Sequence, residues 1–221
     1  MAHVLYIEGS PRKSRSASIE VAGAALAAWR TADPQLTVDT LDIWSTELPE
    51  FDGHAMEAKY AGIAGVELTK EQQSAWHSIQ TLAARFHAAD ALLFAVPLWN
   101  FSVPYKLKHL IDLISQKDVL FTFDERGFGG LLRGKKAILI YARGLDYSPS
   151  ADIPLGAYDF QRPYMETWLQ FLGITEVFDV TVEKTLFGPQ IDDAARAAAK
   201  AAAAEAASKC ADLIARRPAR V

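Results

Sequence analysis

The chain reads as a doubly wound α/β domain built on a five-stranded parallel sheet. Three observations point there. Short apolar runs of strand character alternate with helical stretches along the chain. One run, residues 91–96 (ALLFAV), is apolar at every position, as a central parallel strand covered on both faces must be. The first run ends in a Gly-Ser-Pro turn that opens a helix.

Residues 3–8 (HVLYIE) form the first strand, on length and on β-branched and aromatic content. A helix follows over 16–29, with Ser16 as N-cap and Ile19, Val21, Ala22, Leu26 and Trp29 on or near one face. Residues 36–43 make the second strand. The stretch 44–69 carries Pro49, Gly53, Gly62 and Gly65 and reads as a long loop, of a size that is functional or packs on a partner. Thr69 and Gln72 fit a capping box and predict a helix over 70–88. After the third strand at 91–96, Pro104 suits the first turn of a helix running through Ile114. Residues 115–134 read as a polar, Gly-rich insertion bearing Phe121, Phe123 and Phe128. The fourth strand is 137–141 (AILIY), and a second long loop covers 142–161. A helix over 163–172 follows, with Gly173 as its stop. The fifth strand spans 175–182, and an alanine-rich terminal helix spans 191–216.

With 221 residues, no internal repeat and no linker composition, a single domain over 1–221 is expected. Crossovers in such sheets are right-handed, and a common strand order is 2-1-3-4-5, with ligand in the crevice between strands 1 and 3. In that order the loops after strands 1, 3 and 4 open at one edge of the sheet.

Composition narrows the function. The formal net charge is −4, which argues against a nucleic-acid partner. No apolar run reaches the roughly 18 residues of a membrane span. The chain enters strand-like sequence at once, which leaves no room for a secretory signal. Its one cysteine, Cys210, sits in the alanine-rich helix without a His or Cys neighbour and reads as a buried inert thiol. The expected compartment is the cytoplasm.

The first loop, 9–18, places serine hydroxyls and backbone N–H groups at a helix N-terminus, a setting that binds phosphate. Arg12, Lys13 and Arg15 add positive charge nearby. A capped, solvated turn is the plainer reading of the same residues. The terminal Gly-Lys-Ser/Thr of a P-loop is missing, only Gly9 of a three-glycine dinucleotide fingerprint is present, and no cysteine nucleophile stands here. A phosphate-accepting receiver domain would show paired acids after the first strand, and Glu8 stands alone. What remains is a loop that grips a phosphate without chemistry at it, as a tightly held flavin mononucleotide (FMN) requires.

In the second loop Trp99 and Phe101 can form a flat apolar wall, and Asn100 can donate to and accept from a flavin's N3 and O4. Packing of this loop on the next helix is the alternative. In the third loop, backbone N–H groups near Gly144 can meet the N1 and O2 edge and stabilise the charge that develops there on reduction. Arg143 has two readings, surface or site. His3, His54, His77, His87 and His109 show no metal spacing. No catalytic acid–base pair or nucleophilic triad stands out, which suits an enzyme whose cofactor carries the chemistry.

Ser10, Ser16, Ala17 and Ser18, then Pro97, Leu98, Trp99, Asn100 and Phe101, then Arg143 and Gly144, together resemble the FMN-dependent NAD(P)H:quinone reductase and azoreductase family. Residues 127–136 and 163–178 match its style as well. The resemblance implies a flavodoxin-like three-layer fold and a homodimer with two FMN sites near the interface. It implies ping-pong reduction, with NADH or NADPH giving hydride to flavin N5 and the flavin giving two electrons to a quinone or azo compound. By the same likeness Ser10, Ser16, Ala17 and Ser18 hold the phosphate. Pro97, Leu98, Trp99, Asn100 and Phe101 hold the ring, and Ala142, Arg143, Gly144 and Leu145 lie at its pyrimidine edge. Phe121 and Phe123 would line the substrate pocket, from the same chain or from the partner subunit.

The family often has Ser-Arg-Gly-Gly after the fourth strand, a tyrosine in place of Trp99, and a histidine shortly after the glycines. This chain has Ala142, Arg143, Gly144 and Leu145, and no histidine follows. A leucine at 145 would be costly if the loop needed a glycine backbone there. Two other readings keep the fold: a flavodoxin-type electron carrier, usually more acidic and threonine-rich, and a module that has lost its cofactor. The serine and Asn100 set argues against the latter.

Overall fold

The computed structural model, which describes residues 1–153 and 155–216, contains seven strands and six α-helices among those residues. The strands are β1 (His3–Glu8), β2 (Thr37–Asp42), β3 (Ala91–Pro97), β4 (Phe121–Asp124), β5 (Gly127–Gly130), β6 (Lys136–Ala142) and β7 (Glu176–Val182). The helices are α1 (Ala17–Ala32), α2 (Gly53–Ala64), α3 (Lys70–Ala88), α4 (Tyr105–Ile114), α5 (Gln161–Phe171) and α6 (Pro189–Ala215). Pro154, in the long loop expected over 142–161, and residues 217–221 of the domain expected over 1–221 lie outside the described residues.

The main sheet is parallel throughout, in the order β2-β1-β3-β6-β7. Set aside the β4–β5 hairpin and this is the expected 2-1-3-4-5. Side-chain alternation splits the core in two. Leu92, Phe94 and Val96 of β3 join Phe86, Leu107, Leu110, Met165 and Trp168 in the layer of α3, α4 and α5. Ala91, Leu93 and Ala95 face the opposite layer, where small residues of α1 and α6 meet. Ala22 and Ala25 on α1 and Ala199, Ala203 and Ala207 on α6 are buried there, beside Trp29 and Cys210. Each fully buried large side chain in these layers, Phe94 or Trp29 for example, contributes about 1.5–3 kcal/mol.

Two segments differ from expectation. The stretch 44–69 is not all loop, because α2 occupies Gly53–Ala64. Asp52 caps it by accepting from the His54 and Ala55 N–H groups, and Gly65 ends it at φ +69. Among the described side chains its buried positions are the small Ala55 and Ala58, while Tyr60 is exposed, so the apolar pattern in sequence does not mark the buried face. The insertion 115–134 contains the β4–β5 hairpin, in which Phe121 pairs with Gly130 and Phe123 with Phe128. Helix starts also move by two residues: α5 begins at Gln161, with Pro163 in its first turn, and α6 begins at Pro189 itself.

Candidate functional site

The loops that follow β1, β3 and β6 share the carboxyl edge of the sheet, as the strand order requires. At the first, the Gly9 N–H donates to the Ala95 carbonyl at 2.9 Å. A Cβ on Gly9 would stand 2.6 Å from that same oxygen, so β1 and β3 approach this closely only with glycine here. Ser16 caps α1 by accepting from the Ile19 N–H, and its hydroxyl lies 3.1 Å from that of Ser18. The Ser10 hydroxyl accepts from the Arg12 N–H at 3.3 Å. A serine that accepts from a backbone N–H keeps its own proton to donate. Ser10, Ser16 and Ser18 are all buried. The Ala17 and Ser18 N–H groups belong to the first helical turn and find no acceptor among the described residues. Hydroxyls and free N–H groups at the positive end of a 16-residue helix form a donor set that fits a phosphate dianion.

The cationic part of that expectation changes. Lys13, at φ +48, pairs with Glu8 at 3.2 Å and with Asp42, so its charge is already balanced. Arg12 and Arg15 are exposed.

After β3, Leu98 extends the ladder by donating to the Ala142 carbonyl at 2.8 Å. Trp99 and Ser102 then exchange hydrogen bonds at 2.9 and 3.0 Å around Asn100 and Phe101, both at positive φ (45° and 72°). This is the pattern of a type I′ turn. Asparagine tolerates that backbone, whereas Phe101 is strained by about 1–2 kcal/mol. The Phe101 carbonyl accepts from the Phe160 N–H at 2.9 Å, and its ring packs on Tyr158 with centroids 5.3 Å apart. The turn leaves the Asn100 amide exposed and keeps Trp99 half-buried. Trp99 lies 5.5 Å from Trp44, whose indole N–H donates to the Gly9 carbonyl at 3.1 Å. Trp44 therefore ties the first loop to the second.

The third loop is held differently. The carbonyls of Arg143, Gly144 and Leu145 accept from the N–H groups of Thr185, Leu186 and Lys184 at 3.3, 3.1 and 3.2 Å. In a planar trans peptide the N–H of the next residue points the other way. The Gly144 and Leu145 N–H groups accordingly face away from segment 184–186, and neither has an acceptor among the described residues. The leucine costs nothing in backbone energy, since neither Gly144 nor Leu145 has positive φ.

Arg143 is no surface residue: its side chain is 3% exposed. It donates to Gln161 at 3.2 Å, to Asp159 at 2.6 Å and to Glu183 at 3.1 Å. It also lies over the rings of Tyr141 and Tyr147. Burial pushes the Tyr141 hydroxyl well above its ordinary range, so it stays protonated. Close by, the Lys184 ammonium and the Ser148 hydroxyl hold the Asp146 carboxyl down at about 2.

Phe121 and Phe123 are not brought to these loops within one chain. Phe121 packs on Phe171 with centroids 4.7 Å apart, and Phe123 on Phe128 at 4.8 Å. Phe171 ends α5, whereas Gln161 at its start reaches the Val96 carbonyl by the site. Ten helical steps separate the two by about 15 Å.

Sequence reasoning missed Trp44, Gln161, Asp159 and Glu183. The rule that ligands sit beyond the carboxyl ends of strands points to Trp44, just after β2, and to Glu183, just after β7. No sequence signal marks Asp159 or Gln161.

Fold and site together define an α/β protein of the flavodoxin type, with a donor-lined helix start and a tight aromatic turn on the carboxyl edge of its sheet. A family profile described as "Flavodoxin-like fold" matches residues 2–207. FMN-dependent NADH:quinone oxidoreductase 9 of Burkholderia lata is 61% identical over 189 residues, covering 85% of this chain and 90% of that one. FMN-dependent NADH:quinone oxidoreductase 3 of Pseudomonas fluorescens is 51% identical over 200 residues, 90% and 93% of the two chains. Among solved structures, an azoreductase from Bacillus anthracis superposes with a TM-score of 0.86 at 28% identity, over 95% of this chain and 100% of that one. An FMN-dependent NADH-azoreductase of the same organism, in complex with FMN, gives 0.82 at 25% identity, over 94% and 100%. The chain belongs to the FMN-dependent NADH:quinone oxidoreductase family.

Proposed function

We propose that the chain is an FMN-dependent oxidoreductase that takes hydride from NADH and reduces quinones, with azo compounds as further acceptors. One observation carries the reading. The unpartnered N–H groups and serines at the start of α1 share a sheet edge with the Asn100 turn and the Gly144 and Leu145 N–H groups.

The residues divide the work by chemistry. Ser10, Ser16, Ser18 and the Ala17 and Ser18 N–H groups would hold the phosphate. Pro97, Leu98, Trp99 and Phe101 would wall the ring, and the exposed Asn100 amide would meet its polar edge. Ala142, Arg143, Gly144 and Leu145 would form the pyrimidine side, with the two free N–H groups as donors. When bound, FMN supplies the two-electron chemistry at N5, in alternating half-reactions with nicotinamide and acceptor. The chain orients that group and needs no acid–base pair of its own.

A cytoplasmic homodimer completes the proposal. Phe123 and Phe128 are 53% and 67% exposed on a hairpin one helix length from their own chain's site. Phe121 and Phe123 can serve a substrate pocket only by reaching the site of a second copy. The cytoplasm is where the NADH pool lies.

Purified protein should be yellow or take up FMN on titration, and should oxidise NADH steadily once a quinone is added. A colourless protein that binds no FMN sinks the reading. FMN binding without quinone-dependent turnover would leave an electron carrier instead. Light scattering across a concentration series checks the dimer.

A further inference from the structure

We infer that Gln161, acting through Arg143, is a positioning residue that aims the Gly144 and Leu145 N–H groups and so sets how strongly the site favours reduced over oxidised flavin. The inference rests on the function proposed above.

Gln161 is fully buried and uses both ends of its amide. Its Nε2 donates to the Val96 carbonyl at 3.0 Å, one residue before the loop that would wall the ring. Its Oε1 accepts from Arg143 Nε at 3.2 Å. Glutamate at this position could only accept and methionine could do neither, so the site needs a side chain that does both. The guanidinium beyond it is fixed on its other edges by Asp159 and Glu183. Asp159 also caps α5, accepting from the Gln161 and Arg162 N–H groups at 3.1 Å each. The ends of β3 and β6, the start of α5 and the segment after β7 are thereby joined through one side-chain pair.

The aim of the two N–H groups follows from where the Arg143 peptide lies. With the guanidinium braced, the carbonyls of 143–145 stay turned to segment 184–186 and the N–H groups stay turned from it. Donors fixed in advance stabilise charge that appears in a reaction more than donors that must reorganise. A slack brace weakens them selectively toward the reduced, more negative cofactor.

The test is the two-electron midpoint potential of bound FMN, with FMN dissociation constants alongside. Gln161→Met should cut the preference for reduced flavin about tenfold, which lowers the potential by about 30 mV for a two-electron couple. Gln161→Glu, which keeps the acceptor for Arg143, should recover part of that shift and stands in should the methionine variant not fold. Leu169→Ala, buried in the same helix and away from the loops, should lower stability and leave the potential unchanged. A wild-type potential in both Gln161 variants, or an equal shift in Leu169→Ala, overturns the inference. Failure of the wild-type chain to bind FMN overturns the functional reading itself.

Discussion

The first and third loops meet the same demand, to present free N–H groups at one edge of the sheet, and they meet it by opposite means. The first loop runs into α1, whose opening turn leaves N–H groups without acceptors by construction, and Ser16 settles the cap from within. No helix starts at the Gly144 and Leu145 N–H groups of the third loop, since α5 begins only at Gln161. Those N–H groups are free only because three consecutive carbonyls are bound by segment 184–186 and because Arg143 is clamped by Asp159, Gln161 and Glu183, 16 to 40 residues away. Where a helix supplies the geometry, short polar residues suffice. Where none does, a buried ion network has to supply it.

Breaking the third loop should therefore cost most. Arg143→Met leaves Asp159 and Glu183 facing each other without their cation, and removing one partner of such a cluster costs about 3–5 kcal/mol. Thermal unfolding of the apo-protein should show the loss, and a change under 1 kcal/mol would make the network incidental. In the first loop the sensitive point is backbone approach. Gly9→Ala puts a methyl 2.6 Å from the Ala95 carbonyl. Overpacking of this kind costs about 1–3 kcal/mol. FMN retention on gel filtration should drop with it.

Ser16→Ala should be milder, at about 1 kcal/mol for a lost N-cap. It should weaken FMN yet leave riboflavin, which lacks the phosphate, bound as before. Equal weakening of both would place Ser16 away from the phosphate. The smallest effect concerns pH. Lys184 and Ser148 hold the Asp146 carboxyl at about 2, against 3.8 for the free group, so the stabilisation is complete above about 4 and fades as pH falls toward 2. Acid titration should show a component below pH 4 that Asp146→Asn abolishes. Ser10, Ser16 and Ser18 do not titrate, so the serine cradle contributes nothing to it.

Much of the fold is legible along the chain because its signals are local. The Thr69–Gln72 capping box marks the start of α3 correctly, and the unbroken apolar run of β3 identifies the central strand. The helix at Gly53–Ala64 escapes notice because, among the described side chains, its buried positions are alanines, which give a weak period to read. The β4–β5 hairpin escapes because its strands are four residues long and one of them is three-quarters glycine.

The residue types of the candidate site belong to the sequence alone: the serines before a helix, an asparagine in a tight turn, a glycine where two strands close. Each acts through its own backbone or that of its immediate neighbours, so adjacency in sequence is enough to read it. The burial of Arg143, the bridging by Gln161, the link from Trp44 to Gly9 and the position of the phenylalanine hairpin were decided only in the folded chain. Their partners lie far apart in sequence, and a hydrogen bond between distant segments exists only once sheet order and helix packing have brought the two groups within about 3 Å.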